Sequence, residues 1–477
     1  MFSVTSLGVI LTGLNSSTLD VGLPAVARHF HPTPTQASWF LLSYQLVNTV
    51  LILIFGRIAD MVGRRRLYIA GLVTFTTGSL GCGLAPTSWA LIGWRAVQAI
   101  GAAAVITNTT AQLTDVFPRR MLGTALGLNV TVISAAQIAG PVVGGALVAT
   151  FGWAWVFLFN VPVGVIGVIW AVVTLRRTPR GRPRGRFDLL GAGLTVVWLG
   201  SLVVALSAGG AQGWGTPSTV YPLVVMAATL PLFVWWQTRT QDPLVDLALL
   251  RDRARAAAYA ANFALAVARF ALVLLASLFF QAVQGLDAFT AGLRVAPLAL
   301  GIMVASPLAG YASGRFPTRV VSTLGALTCS GGLAFLALTV EPQTSYLFVS
   351  TGLFVVGIGS GTFMTPNTSS IMASVPAHTR GVANGLRSML QNTGFVMSTA
   401  LSLAIVTAPL TQSEKRGVYS GTLSRLPSSD VVHFVDAYRT ALFALLGVCL
   451  AAVLSSLLRG RAPQPDGDNG AVAERSP

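Results

Sequence analysis

The chain reads GRIADMVGRRR at residues 56–66, between two long apolar runs, and AGPVVGGAL at residues 139–147, inside a third apolar run. The first stretch places one acidic residue and three consecutive arginines where a membrane span would end. The second surrounds a proline with three glycines. Glycine lets two helix backbones approach closely, and proline removes a helix hydrogen bond. Together the two stretches predict a membrane protein whose helices move against one another.

The composition also favours a membrane protein. Hydrophobic residues make up 53% of the chain and charged residues only 10%, and the mean hydropathy is +0.70. A soluble domain needs more charge to cover its surface, whereas a bilayer span needs ~20 mainly apolar residues. We therefore predict an all-α polytopic membrane protein with about fourteen transmembrane helices. They are expected at residues 3–24, 36–58, 66–86, 89–114, 121–150, 153–175, 187–208, 219–238, 256–283, 290–313, 319–340, 345–373, 380–408 and 436–459.

Arginines gather in alternate connections between these runs, as in RRTPRGRPRGR at residues 176–186. The connections between them are nearly uncharged, as in APTS at residues 85–88. The positive-inside rule therefore predicts a multi-pass protein of the cell membrane with both termini in the cytoplasm. The rule also explains the net charge of +16. A nucleic-acid partner is not expected, because no soluble domain presents the basic residues on one face. The first run lacks a basic n-region, so we interpret it as a span and not as a cleaved signal peptide.

No phosphate-binding Walker motif is present, which argues against direct use of ATP. The four histidines are scattered without metal-ligand spacing. The three cysteines, Cys82, Cys329 and Cys449, fall in separate apolar runs and are interpreted as small packing residues. We therefore expect no metal and no cofactor.

The chain repeats itself weakly. FPRRMLGTALG at residues 117–127 matches VPAHTRGVANG at residues 375–385 with an offset of 258, as Pro118 and Pro376 show. Parallel halves of this kind are a known transporter plan, although chance matching of abundant Gly and Ala is the alternative. The predicted organisation is an N-terminal six-helix bundle at residues 1–175, a basic loop, inserted helix pair and linker at 176–255, a C-terminal six-helix bundle at 256–459, and a disordered tail at 460–477.

Three motifs carry a resemblance to a known family. The loop motif Gly-x-Leu-Ala-Asp-Arg-x-Gly-Arg-Lys is matched by Gly56, Ile58, Ala59, Asp60, Gly63, Arg64 and Arg65. The fourth-span motif Arg-x-x-Gln-Gly is matched by Arg95 and Gln98. The fifth-span motif Gly-x-x-x-Gly-Pro-x-x-Gly-Gly is matched by Gly140, Pro141, Gly144 and Gly145, with Ala136 at its first position. In these residues the chain resembles the major facilitator superfamily, and more narrowly its fourteen-helix branch of drug:proton antiporters.

The resemblance covers residues 14–458 and implies the major facilitator fold, with two six-helix bundles and an inserted two-helix hairpin. It further implies multidrug efflux driven by the proton gradient, and no enzymatic activity. The first span departs from the branch pattern Leu-Asp-x-Thr-Ile-Val-Asn-Val-Ala-Leu-Pro. Asn15 replaces the usual acid, and Asp20 replaces the usual asparagine. The carboxylate is thus displaced by five residues, about 7.5 Å along a helix.

Asp20 and Arg95 are the candidate residues for proton coupling, together with Asn15. Ionisable groups inside spans are costly and usually face the protein interior. Asp20 and Arg95 are expected at similar depth, so a buried pair is feasible, and protonation of Asp20 would change which state of the carrier is favoured. The alternative for Asp20 is that it marks the interfacial end of the first helix.

A gate on the cytoplasmic side is predicted at the loop motif. Asp60 and Arg64 lie at helical spacing in a predicted cytoplasmic loop and could pair with each other or with a partner helix. Asp115, at the cytoplasmic end of the fourth span, is a candidate partner of these arginines. The alternative is that Arg64, Arg65 and Arg66 only set the topology. For the fifth-span glycines the corresponding alternative is ordinary small-residue packing.

Arg269 lies in the middle of the ninth predicted span, where it is expected to face a cavity or a partner. It could bind an anionic group or repel cations; a structural hydrogen bond to a neighbouring helix is equally open. The further candidates for a cavity lining are Gln98, Asn108, Asn262 and Asn367.

These observations predict a monomeric secondary active transporter. Its expected partners are membrane lipids, protons and a small amphipathic substrate, exported by alternating access. Two alternatives stay open. One is export of a lipid or endogenous metabolite by the same fold. The other is a membrane protein that keeps the fold but has lost proton coupling, which the displaced carboxylate favours.

Overall fold

Long helices account for most of the structure. The computed structural model describes residues 2–116, 136, 139–175, 188–241, 243–245, 247–375 and 380–459, and no strand occurs in these ranges. The helices before residue 245 are α1 (Phe2–Phe30), α2 (Pro34–Val62), α3 (Arg64–Gly83), α4 (Ser88–Val116), α5 (Ala139–Phe151), α6 (Trp155–Leu158), α7 (Asn160–Thr174), α8 (Leu189–Gln212) and α9 (Pro217–Arg239). Those after it are α10 (Arg253–Arg269), α11 (Leu272–Leu278), α12 (Ala288–Ser313), α13 (Thr318–Thr339), α14 (Tyr346–Ala373), α15 (Arg380–Thr407), α16 (Gln412–Ser420) and α17 (Ser428–Leu457). A π-helical turn at Phe279–Val283 continues α11.

The all-helical architecture follows from the apolar composition, because a helix satisfies its own backbone hydrogen bonds in a bilayer. Among the described residues, eleven segments are long and apolar enough to cross a membrane. The predicted run at 345–373 corresponds to Tyr346–Ala373, and the run at 256–283 to Arg253–Val283. The start of the predicted fifth span, residues 121–135, lies outside the described residues. The count of about fourteen spans therefore stays a prediction.

The helices pack in two groups. In the first group α4 packs against α1, α2 and α3, and α7 packs against α1 and α3. In the second group α14 packs against α12 and α13, while α17 packs against α10 and α13. The hairpin of α8 and α9 bridges the groups, because α8 contacts both α2 and α15. This packing is compatible with the predicted halves and insert, whose boundaries stay a prediction. The basic loop at 176–187 and the tail at 460–477 lie outside the described residues.

The loop predicted around Asp60 is wrong, because α2 continues through Asp60 to Val62 and α3 starts at Arg64. A single residue, Gly63, joins the two helices. Its φ of 101° lies in the region that favours glycine, and its N–H donates to the carbonyl of Ala59 at 3.0 Å. The side of the molecule that holds this joint is called the basic side below, and the other the opposite side.

On the opposite side lies α16, a short polar helix that hydropathy does not detect. Thr411 and Glu414 form a capping box at its start, and Gly421 ends it in the left-handed conformation. Lys415 is buried, and its ammonium group donates to the carbonyls of Gly210 and Ala211 at 3.2 and 3.1 Å. Since α16 also contacts α1 and α2, it joins the inserted hairpin to the first group of helices.

Candidate functional site

A buried polar cluster lies where α1, α3, α4 and α7 meet, and Gln98 is its centre. The Gln98 amide nitrogen donates to Asn15 Oδ1 at 3.0 Å and to Ser79 Oγ at 2.7 Å. Asn160 Nδ2 also donates to Asn15 Oδ1, at 3.2 Å. All four side chains are at most 1% exposed. The cluster fixes the position of Asn15, the residue that replaces the usual acid of the first span.

Arg95 is bound into the same cluster. Its Nη1 donates to Gln98 Oε1 at 2.6 Å and its Nε to the carbonyl of Phe40 at 3.0 Å. The guanidinium lies 4.3 Å from the ring centroid of Tyr44, a cation–π contact. The side chain is 1% exposed. Its acceptors are neutral oxygens and aromatic rings, so the positive charge is held without a carboxylate in hydrogen-bond contact.

Asp20 lies on α1, five residues beyond Asn15, and is 6% exposed. Among the described residues, no hydrogen bond or ion pair reaches its carboxylate. The predicted direct pair with Arg95 does not form, because Arg95 directs its donors to Gln98 and Phe40. Arg95 nevertheless lies near enough to act electrostatically on Asp20. In the described ranges, Asp20 is therefore a buried acid without a hydrogen-bond or ion-pair partner, and the nearby network contains the positive charge of Arg95.

The glycines of α5 lie directly against other helices. A Cβ atom at Gly144 would come within 2.6 Å of the Thr18 carbonyl oxygen, and one at Gly140 would overlap Ser17 on the same helix, α1. A Cβ atom at Gly145 would come within 2.4 Å of the carbonyl oxygen of Ala288, at the start of α12. Helix α5 thus contacts the first helix of one group and α12 of the other through backbone atoms, close to Asp20.

At the basic side, Arg65 Nη2 donates to the carbonyl of Val172 at 2.8 Å and so ties the start of α3 to the end of α7. Arg64 also has an interaction partner. Gly56 and Asp60 belong to α2 and Asp115 to α4, but the side chains of Asp60 and Asp115 lie outside the described part of the chain. The predicted contact between these acids and the arginines stays a prediction.

The span that contains Arg269 is interrupted in mid-membrane. Helix α10 ends at Arg269 and α11 begins at Leu272. The backbone N–H of Ala271, freed by the break, donates to Ser398 Oγ on α15 at 2.9 Å. Arg269 is 8% exposed, and its guanidinium lies 4.3 Å from the ring centroid of Phe270. Interrupted helices with satisfied backbone groups are typical of binding sites in transporters.

Helix α15 carries a polar stripe centred on Arg387, a residue that the sequence analysis did not single out, although Gln391 beside it is a polar candidate for the cavity lining. Arg387 donates to Asn384 Oδ1 at 3.0 Å and to Gln391 Oε1 at 2.7 Å, one turn away on either side. Phe395 continues the stripe and lies 4.6 Å from Phe270, measured between ring centroids. All four residues are half-buried although α15 is flanked by α2, α8, α10 and α17. Arg387, Gln391 and Phe395 are spaced four residues apart, which places them on one face of a helix, and this spacing could have identified the stripe from the sequence.

The other predicted lining residues are buried in this conformation. Gln98, Asn108 and Asn367 are 0% exposed, so they do not line an open cavity here. Asn108 Nδ2 donates to the carbonyl of Ala104 in its own helix. Asn367 Oδ1 accepts a hydrogen bond from Arg459, a buried residue that the sequence analysis missed. Asn262 donates to the carbonyl of Arg387 at 3.4 Å and links α10 to α15.

Glu414 and His433 are in hydrogen-bond contact on the opposite side, where Glu414 Oε1 lies 2.8 Å from His433 Nδ1. Burial raises the pKa of Glu414, but hydrogen bonds from Thr411 and the contact with His433 outweigh this, so the pKa lies below its usual value. Within the described residues, no group of three or more His, Cys, Asp or Glu could hold a metal ion.

Comparisons with known proteins agree with this architecture. The sequence pattern described as Major Facilitator Superfamily matches residues 5–399. The Multidrug resistance protein Stp of Mycobacterium tuberculosis is 33% identical over 405 residues, which is 85% of this chain and 75% of that protein. The Multidrug export protein EmrB of Escherichia coli is 26% identical over 84% of this chain and 79% of its own length. The Riboflavin transporter RibZ of Clostridioides difficile is also 26% identical, over 86% of this chain and 89% of its own length.

Solved structures show the same fold at low sequence identity. A bacterial homolog of the human lysosomal transporter Spinster, in an inward-facing and unoccupied conformation, superposes with a TM-score of 0.69 at 16% identity. The match covers 96% of both chains. The D-xylose-proton symporter superposes with a TM-score of 0.68 at 14% identity, over 97% of both chains.

Proposed function

The chain belongs to the Major Facilitator Superfamily, and we propose that it exports amphipathic compounds in exchange for protons. As a member of this superfamily it is a multi-pass membrane transporter and not an enzyme. Two relatives carry names that refer to multidrug resistance or export, which favours export of varied compounds. In this proposal the chain acts as a monomer in the cell membrane, with the basic side in the cytoplasm, and the proton gradient supplies the energy.

The observation that carries the proposal is the isolated buried carboxylate of Asp20. A charged carboxylate away from water is costly unless it is paired, and Asp20 has no partner among the described residues. Binding a proton removes that cost, and releasing it restores the negative charge beside Arg95. Each step changes the electrostatic energy of the first group of helices and so shifts the balance between two conformations.

The conformational change is proposed to run through α5 and the α2–α3 joint. On the opposite side, α5 contacts both α1 and α12 at its glycines, where no side chain separates the backbones. A rocking motion of the two groups there would therefore depend on the glycines and Pro141 of α5. On the basic side, the joint at Gly63, with Gly56, Asp60, Arg64, Arg65 and Asp115, is proposed to close the cytoplasmic entrance when the opposite side opens.

A second candidate is transport of an endogenous metabolite by the same fold. The similarity to a protein named Riboflavin transporter RibZ supports this alternative. It differs from multidrug export in substrate range and not in mechanism. Counterflow of labelled riboflavin, compared with counterflow of dyes, separates the two candidates.

The test uses purified protein in proteoliposomes with an imposed pH gradient. Ethidium and fluorescein serve as a cationic and an anionic probe. The wild type should accumulate at least one probe against its gradient, and Asp20→Asn should abolish this accumulation while counterflow without a pH gradient persists. Asp436→Asn is the matched control, because Asp436 is an exposed acid on α17. Normal accumulation by Asp20→Asn would disprove coupling through Asp20.

A further inference from the structure

Helices α10 to α15 carry buried positive charge without any acid of their own to balance it. They contain no Asp or Glu, and neither does the π-helical turn. Three of their arginines lie six or more residues from either end of a span or helix: Arg269 within the span Arg253–Val283, Arg294 within α12 and Arg387 within α15. Arg294 is stacked on Phe280 and Tyr346 and donates to Gln284, which leaves Arg269 and Arg387. Buried guanidinium groups normally pair with carboxylates or with several hydrogen-bond acceptors. The absence of acids in these helices therefore calls for a balancing negative charge from elsewhere.

Arg269 has no hydrogen-bond acceptor among the described residues. It is 8% exposed, its guanidinium lies 4.3 Å from the ring centroid of Phe270, and it also interacts electrostatically with Cys329. It lies at the break between α10 and α11, where the backbone is already satisfied by Ser398. The five N–H donors of its guanidinium are therefore available to a ligand.

Within the described part of the chain, Arg387 has only neutral acceptors. Its donors go to the side chains of Asn384, Ser388 and Gln391, all on its own helix. These contacts orient the guanidinium but leave its charge unbalanced. A carboxylate or phosphate oxygen would bind it more strongly, because charge-assisted hydrogen bonds are about twice as strong as neutral ones.

The two arginines lie at different depths on neighbouring helices, α10 and α15, and two aromatic rings lie at the level of Arg269. Asn262 contacts the carbonyl of Arg387, so Arg269 lies seven residues further along α10, about 10 Å deeper. Phe270 and Phe395, with rings 4.6 Å apart, are half-buried at the deeper level. Because protein surrounds α15 on the sides of α2, α8, α10 and α17, this half-buried face is directed to the protein interior.

We propose that the substrates of this transporter are amphipathic organic anions. Their acidic group binds Arg269 or Arg387, and their aromatic body packs against Phe270 and Phe395. Carboxylates, sulfonates and phosphates each carry at least two oxygens that can accept hydrogen bonds from one guanidinium. A cationic compound of the same shape is disfavoured, because it meets two unbalanced positive charges in a region of low dielectric constant. The inference rests on the proposed export function and adds a charge preference to it.

The test measures binding, which needs no proton gradient. The probes share one aromatic body and differ in charge: 1-pyrenebutyrate, 1-pyrenebutylammonium and the neutral 1-pyrenebutanol. They are titrated into the protein in nanodiscs of neutral lipid, with empty nanodiscs as the blank. The wild type should bind the butyrate at least about tenfold more tightly than the other two probes, as expected for a hydrogen bond between charged groups.

The variants test the two arginines separately. Arg269→Gln or Arg387→Gln should reduce butyrate affinity about tenfold and leave butanol affinity unchanged, and Arg269→Lys should retain much of the preference. Loss in only one Gln variant identifies the arginine that holds the acidic group. Arg294→Gln is the control, because Arg294 stacks on Phe280 and Tyr346 and donates to Gln284, away from Phe270 and Phe395. Unchanged butanol binding shows that each variant is folded.

Two results would overturn the inference: tighter binding of the butylammonium probe by the wild type, or an unchanged butyrate preference in both Gln variants. Failure of the proposed export function gives a different result from failure of the anion preference. In that case proteoliposomes show no pH-driven accumulation of either dye, whatever the charge preference in binding. If the protein exports the cationic dye and shows no preference for anions in binding, the proposed export function is supported and only the proposed preference for anions is wrong.

Discussion

Gln281 Nε2 donates to the main-chain carbonyl of Val21 at 2.9 Å, so the π-helical turn of one helical group is bonded to α1 of the other. Val21 follows Asp20 directly. One contact between the groups on the opposite side is therefore adjacent to the buried acid. A change in the charge of Asp20 and a separation of the groups act on the same turn of α1.

Replacing Gln281 by Ala should make the opposite side open more often. The substitution removes one hydrogen bond between the groups, worth about 1 kcal/mol, which corresponds to a roughly fivefold shift of the equilibrium. The measurement is the rate at which a maleimide labels Ala288→Cys, a buried position beside Gly145. Gln284→Ala is the control, because Gln284 bonds only within the second group. Equal labelling rates for the two variants would contradict a role of Gln281 in closure.

The fifth helix should tolerate no side chain at Gly144. A Cβ atom there would lie 2.6 Å from the carbonyl oxygen of Thr18, which is backbone and cannot rotate away. Gly144→Ala should already reduce transport, and Gly144→Leu should reduce it further or cause a proton leak, since overpacking costs about 1–3 kcal/mol. Transport and leak are compared in proteoliposomes at matched protein content. Gly193→Leu, where a Cβ atom meets open space, is the control. Wild-type transport by Gly144→Leu would show that this contact opens without cost.

The α2–α3 joint should depend on the backbone conformation of Gly63. Its φ of 101° is strained for any residue with a side chain, although a Cβ atom at this position would meet no other atom within 4 Å. Gly63→Ala should therefore shift the angle between α2 and α3 and lower the transport rate without loss of abundance. Gly213→Ala carries the same strain at the end of α8, with φ of 105° and open space around it. If both variants lower transport equally, general destabilisation explains the effect and the joint has no special role.

Helix α16 should loosen at acidic pH on the opposite side. The pKa of Glu414 lies below its usual value of 4.5, so its charge stabilises the folded helix above that value, and the stabilisation is lost as the pH falls through the lowered pKa. Amide hydrogen exchange of Gln412–Ser420 should accelerate in that acidic window and stay constant near neutrality. Glu414→Gln should accelerate exchange already at pH 7, about where the carboxylate is fully charged. Glu341→Gln, at an exposed turn, is the control. Unchanged exchange in Glu414→Gln would show that the negative charge of Glu414 is dispensable for α16.

Hydropathy predicted the helical class and most helix positions, because ~20 apolar residues in a row have few other stable conformations. It missed α16, since this nine-residue polar helix is stabilised by its capping box and by Lys415, not by an apolar run. It also missed Arg387, whose importance appears only when α15 is seen to be flanked by protein. The expected pair of Asp20 and Arg95 failed for a similar reason. The sequence indicates how deep Asp20 and Arg95 lie in the membrane. Which acceptors Arg95 binds, namely Gln98 and the carbonyl of Phe40, depends on how the helices pack.

Coupling should be transferable from Asp20 to position 15. Asn15 Oδ1 already accepts hydrogen bonds from Gln98 at 3.0 Å and from Asn160 at 3.2 Å. An aspartate has the same shape and would keep both donors to Oδ1, although it loses the long hydrogen bond that Asn15 Nδ2 donates to Gln98 Oε1 at 3.4 Å. Asn15→Asp therefore introduces an acid beside two donors and near Arg95. In the Asp20→Asn background this second change should restore pH-driven accumulation. Asn108→Asp in the same background should not, because Asn108 Oδ1 has no donor among the described residues. Proton uptake on probe addition, followed with a pH-sensitive dye, measures the rescue. Equal rescue by both acids would mean that any buried carboxylate suffices, and rescue by neither would assign coupling to Asp20 alone.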